Sequence, residues 1–69
     1  MNGTVYRKTE IVGVSQTSVS DAIETAIKRA TQTLRNVDWF EVGDIRGQVK
    51  DGTVAQYQVT LKVGFRLEE

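Results

Sequence analysis

The chain predicts an α+β domain, a three-stranded antiparallel sheet wrapped around one helix in the order β-α-β-β, and three observations carry that expectation. From Ser18 onward, Ile23, Ala26, Ile27, Ala30, Leu34 and Val37 recur at spacings of three and four, which places them in one stripe along a helix. From Thr53 to Leu67 the period drops to two. There Ala55, Tyr57, Val59, Leu61, Val63, Phe65 and Leu67 alternate with Gln56, Gln58, Thr60, Lys62, Gly64 and Arg66, giving a strand with one apolar and one polar face. Between this strand and the segment before it stands Asp51-Gly52, the dipeptide that closes two-residue hairpins.

Taken in order, Val5 to Val14 is rich in β-branched and aromatic residues of mixed polarity, as expected of a first strand used on both faces. Ser18 is placed to cap the helix, with Asp21 three residues on completing a weaker form of the capping box. Asp21 and Glu24 early, with Lys28, Arg29 and Arg35 late, complement the helix dipole, and the helix is expected to end near Asn36. Trp39 to Lys50 reads as the second strand and Thr53 to Leu67 as the third, whose apolar face should receive the helix. With no repeat, linker or low-complexity segment, residues 1–69 are expected to form a single domain.

Composition narrows the function. A domain of this length buries only about 60% of the surface its unfolded chain exposes. Small domains are reinforced by disulfides, a metal or association, and a chain with no Cys and no His is left with self-association. Nine basic and nine acidic residues give zero formal charge, so no general field attracts nucleic acid. The same composition removes Ser-His and Cys-His nucleophile pairs and two-His metal sites, and no spacing fixes two carboxylates as an acid/base couple; no catalytic or metal-ligating residue is expected. No segment approaches the roughly 20 apolar residues of a membrane span. The polar start Met1-Asn2-Gly3-Thr4 lacks a signal-peptide pattern, so a soluble cytoplasmic protein is expected and the Asn2-Gly3-Thr4 glycosylation pattern is read as coincidence.

Trp39, the only tryptophan, is the strongest candidate binding group. A two-residue turn at Asp51-Gly52 places Lys50 opposite Thr53, Trp39 opposite Gly64 and Ile45 opposite Gln58. Trp39 and Gln58 then share the polar face, away from the helix, while Phe40 and Val42 point into the core. Glycine inside a strand marks close approach of a ligand or another backbone, and Gly64 leaves room over the indole. A binding platform and a subunit seam are both compatible with such a Trp. Unbroken alternation would turn Arg46 towards the helix; a bulge at Gly43 or Gly47 would turn it outward, where an ion pair with Asp44 or with a glutamate at a subunit contact, or a ligand contact, is open to it.

The segments Glu10-Ile11-Val12-Gly13-Val14-Ser15, Asp38-Trp39-Phe40-Glu41-Val42, Ile45-Arg46-Gly47, Tyr57-Gln58-Val59 and Lys62-Val63-Gly64-Phe65-Arg66-Leu67-Glu68, in this order and spacing, closely resemble the dodecins. The resemblance covers nearly the whole chain. It implies a hollow homododecamer that binds flavins in stacked pairs, with Trp39 stacking on the isoalloxazine and Gln58 hydrogen-bonding its polar edge. Arg46 and Arg66 match basic positions of bacterial members that favour FMN over riboflavin, and Gln48, on the same strand as Arg46, joins them as a cofactor-binding candidate. Coenzyme A is implied as a further ligand in some members. The function expected from the resemblance is storage and photoprotection of FMN; a structural or interaction shell holding another planar ligand, or none, is the alternative.

Overall fold

The computed structural model describes residues 3–68, so Asn2 of the glycosylation pattern lies outside it. The elements are β1 (Tyr6–Ser15), α1 (Val19–Ala30), β2 (Val37–Lys50) and β3 (Thr53–Arg66). They form one antiparallel sheet in the order β1-β3-β2, so the alternating third strand lies at its centre.

Ser18 caps the helix through its Oγ, which accepts from the Asp21 backbone N–H at 2.9 Å. Asp21 does not complete the box: its carboxylate accepts from the buried Ser15 hydroxyl at 2.7 Å instead. The Ser15 Oγ also accepts from the N–H groups of Thr17 and Ser18, which ties the end of β1 to the start of α1. The helix stops at Ala30, well short of Asn36. The Thr31 hydroxyl donates to the Lys28 carbonyl at 3.1 Å and the Thr33 hydroxyl to the Ala30 carbonyl at 3.4 Å, local bonds that compete with helix continuation. Asn36, at φ 63°, then turns the chain into β2, so Val37 belongs to a strand.

Ala22 and Ala26 of α1 meet Val59 and Leu61 of β3 at the centre of the core, with Ile11, Val19, Ile23 and Ile27 around them. The approach is close. A Cβ on Gly13 would run into the Ala22 carbonyl oxygen and lie 2.9 Å from the Ala26 Cβ, so only glycine lets β1 pass under the helix here. The helix packs on β1 and β3, leaving the same side of β2 largely uncovered. Phe40 and Val42 therefore do not enter the core as their facing suggested; they lie on the helix side of the sheet but remain 46% and 42% exposed.

The hairpin explains the shape. Strands of 14 residues run about 46 Å at roughly 3.3 Å per residue, whereas a 12-residue helix covers about 18 Å. The molecule measures 57 × 20 × 13 Å with a radius of gyration of 14.5 Å, against about 11 Å for a compact chain of this length. Its 5159 Å² of accessible surface likewise exceeds the roughly 4,300 Å² of a compact monomer of this mass. Ile45, Val49 and Val54, along the overhanging hairpin, are more than half exposed.

Candidate functional site

Three irregularities decide which β2 side chains share a face with the polar side of β3. Asp38 is an extra residue before Trp39; Gly43 and Asp44 together oppose Thr60; and Ala55 is an extra residue on β3 between Gln48↔Gln56 and Val49↔Val54. The bulge at Gly43-Asp44 and the one at Ala55 cancel, so the pairings nearest the turn and at Trp39 follow one register. Trp39 lies opposite Gly64, as the turn predicts. Between the bulges the register moves by one: Ile45 pairs with Val59, and Arg46, not Ile45, pairs with Gln58. The shift has a plain cause. It turns Ile45 to the helix side and takes the Arg46 guanidinium off it, onto the open face beside Gln58.

All the candidate residues thus fall on the helix-free face, but at two stations. At the first, the Trp39 indole lies over Gly64, where an added Cβ would collide with Cε2 and Cζ2 and sit 2.6 Å from Cη2. Tyr6 flanks the indole with ring centroids 5.0 Å apart and planes inclined at 60°. Arg66 pairs with Tyr6 one step along the same face. At the second station, Gln58 is flanked by Arg46 on β2 and Val14 on β1, and Gln48 pairs with Gln56 in the next row of the face. The Gln58 Nε2 donates to the Gln56 Oε1 at 2.7 Å, which orients the amide and leaves its Oε1 without a partner on its own strand. Six residues of β3 separate Gly64 from Gln58, about 20 Å at roughly 3.3 Å per residue. One chain does not bring Trp39 and Gln58 together.

Electrostatics concentrate at the first station. The indole Nε1–H donates to the Glu41 Oε2 at 3.0 Å, and the Lys8 ammonium donates to both carboxylate oxygens of Glu41 at 3.2 and 3.3 Å. The indole hydrogen bond, then the Lys8 contact, lower the Glu41 pKa below its ordinary value. Sequence patterning alone missed Tyr6, Lys8, Glu41 and Gln56. Glu41 and Gln56 were accessible to it, each lying two residues along a strand from a candidate and hence on its face. Tyr6 and Lys8 depend on the β1–β3 register, which no short turn fixes.

The arrangement offers an aromatic plane, an oriented amide and two guanidinium groups. Among the described residues, no three His, Cys, Asp or Glu gather where they could hold a metal ion, and no helix is long and apolar enough to cross a membrane.

Known proteins share this arrangement of elements. A family model described as Dodecin matches residues 5–68. A Thermus thermophilus dodecin is 54% identical over 67 residues, 97% of each chain. The structure of a Streptomyces coelicolor dodecin, 56% identical, superposes with a TM-score of 0.94 over 100% of this chain and 99% of the other. A calcium dodecin of Mycobacterium tuberculosis, described as calcium-chelating with a novel calcium-binding site, is 28% identical with a TM-score of 0.80, over 93% of this chain and 91% of that one.

Proposed function

The chain belongs to the dodecin family, and from that premise we propose that it sequesters FMN in a homododecameric shell, storing the flavin and suppressing its photochemistry. The observation that carries this reading is the indole of Trp39 lying over Gly64 on the helix-free face, the side of the sheet where no helix competes for it. An isoalloxazine is a planar, electron-poor ring with an apolar end and an end that displays hydrogen-bond donors and acceptors. Trp39 supplies the stack, worth about 0.5–1.5 kcal/mol beyond area burial. Gln58, with its amide oriented by Gln56, supplies a matching donor and acceptor to the polar edge. Arg66 near the first station and Arg46 at the second are cations for the phosphate of FMN, with Gln48 a further polar contact beside Arg46. An electron-rich indole against an excited flavin quenches it by electron transfer, so such a site darkens the cofactor. In this reading the protein binds its flavin and does not turn it over.

Titration of the apo-protein with FMN, riboflavin and lumichrome, followed by flavin fluorescence, tests the proposal. Saturable quenching by all three is expected, tightest for FMN, with the FMN advantage shrinking as salt screens the arginines. A well-assembled shell that leaves flavin fluorescence unchanged would instead favour a structural or interaction role. Coenzyme A, added to the same cuvette, shows whether it competes for the site.

A further inference from the structure

We infer that Glu41 is the positioning residue of the flavin platform: held by Lys8, its carboxylate fixes the plane of the Trp39 indole over Gly64. The inference rests on Trp39 being that platform. Three strands converge on one ring. β3 contributes the bare backbone of Gly64 beneath it, β1 contributes Tyr6 at its side and Lys8 beyond, and β2 contributes Glu41 two residues along the same face. A tryptophan on an exposed strand can otherwise take several rotamers, and Gly64, with no Cβ, puts no lateral limit on the ring. The Nε1–H···Oε2 bond at 3.0 Å supplies that limit, and being charge-assisted it is stronger than a neutral one. The Lys8 ammonium at 3.2 and 3.3 Å from the two oxygens holds the acceptor in turn. A platform fixed before the ligand arrives spares the flavin the ordering of that side chain.

The device titrates. The charged groups that face Glu41 are Lys8 and Glu10 on β1 and Lys62, its cross-strand partner, on β3; the helix lies on the other side of the sheet. The indole N–H and the two lysines favour the ionised carboxylate, and its pKa is lowered from 4.5. The charge-assisted part of the hold is therefore complete above the ordinary glutamate range and is lost as pH falls through the lowered value, where only a neutral acceptor remains.

Because Trp39 is the sole tryptophan, the ¹⁵N–¹H resonance of its indole reports this without any flavin. In the assembled apo-protein that resonance should lie downfield at neutral pH, move upfield in Glu41→Gln, and in the parent show one acid step below 4.5 that Glu41→Gln abolishes and Lys8→Met raises. FMN affinity should fall roughly fivefold in Glu41→Ala, with Glu41→Gln, which keeps an acceptor, recovering part of it. An indole resonance unmoved at neutral pH in Glu41→Gln, or an acid step that survives in that variant, overturns the inference. Should the parent bind no FMN, the flavin reading fails while the indole measurement still decides the role of Glu41.

Discussion

Trp39→Ala should fold and assemble like the parent yet lose most of its flavin affinity and nearly all of its quenching. The indole is only partly buried and sits outside the core of Ala22, Ala26, Val59 and Leu61, so its removal spares the packing that holds the chain together. What it removes is the stacking surface. Loss of the stack and of the apolar area it covers costs about 1–3 kcal/mol, a weakening of roughly 5- to 150-fold at 1.4 kcal/mol per decade. Fluorescence titration of parent and variant with FMN measures both effects. A variant that quenches like the parent would mean that the flavin is darkened elsewhere.

Unfolding of this protein should coincide with its dissociation, at a midpoint that rises with protein concentration. The helix covers β1 and β3 only, and the helix side of β2 and the overhanging hairpin present Phe40, Val42, Ile45, Val49 and Val54 to solvent. With an accessible surface roughly a fifth above that of a compact chain of its mass, the lone subunit lacks the burial that offsets chain entropy. Assembly should cover those residues. Circular dichroism and light scattering recorded on one heating ramp should report a single transition. Sedimentation of a well-folded 7.7 kDa species at micromolar concentration would contradict it.

The central strand and the helix were legible because each displays one unbroken period, and the turn because Asp51 and Gly52 both adopt positive φ, at 53° and 78°. Trp39 opposite Gly64 was legible for a less secure reason: the bulges at Gly43-Asp44 and Ala55 cancel before the register reaches it. Between them, counting from the turn misplaces Ile45 by one residue, while the unsuitability of a helix-facing Arg46 pointed to the bulge. The length of the helix was overestimated because Leu34 continues its stripe, although the hydroxyls of Thr31 and Thr33 already divert the backbone carbonyls. Phe40 and Val42 were given the right side of the sheet and the wrong burial, since alternation tells which face a residue is on and not how far a 12-residue helix reaches. Lys8 and Tyr6 were out of reach because they come to Trp39 through the β1–β3 pairing, whose register no short turn fixes.

The proposed flavin site is one that no single chain completes. Trp39 and Gln58 stand about 20 Å apart along one sheet, and an isoalloxazine is only about half that long, so in the proposed site the indole and the amide that meet one ring should come from different subunits. Trp39→Ala and Gln58→Ala chains, each weak in flavin binding alone, should be unfolded together, co-assembled and verified as mixed shells by native mass spectrometry. The account predicts that these shells regain a fraction of parental FMN quenching, because some sites receive an intact Trp39 from one chain and an intact Gln58 from another. Mixed shells of confirmed composition that bind no more FMN than the average of the two pure variants would contradict it.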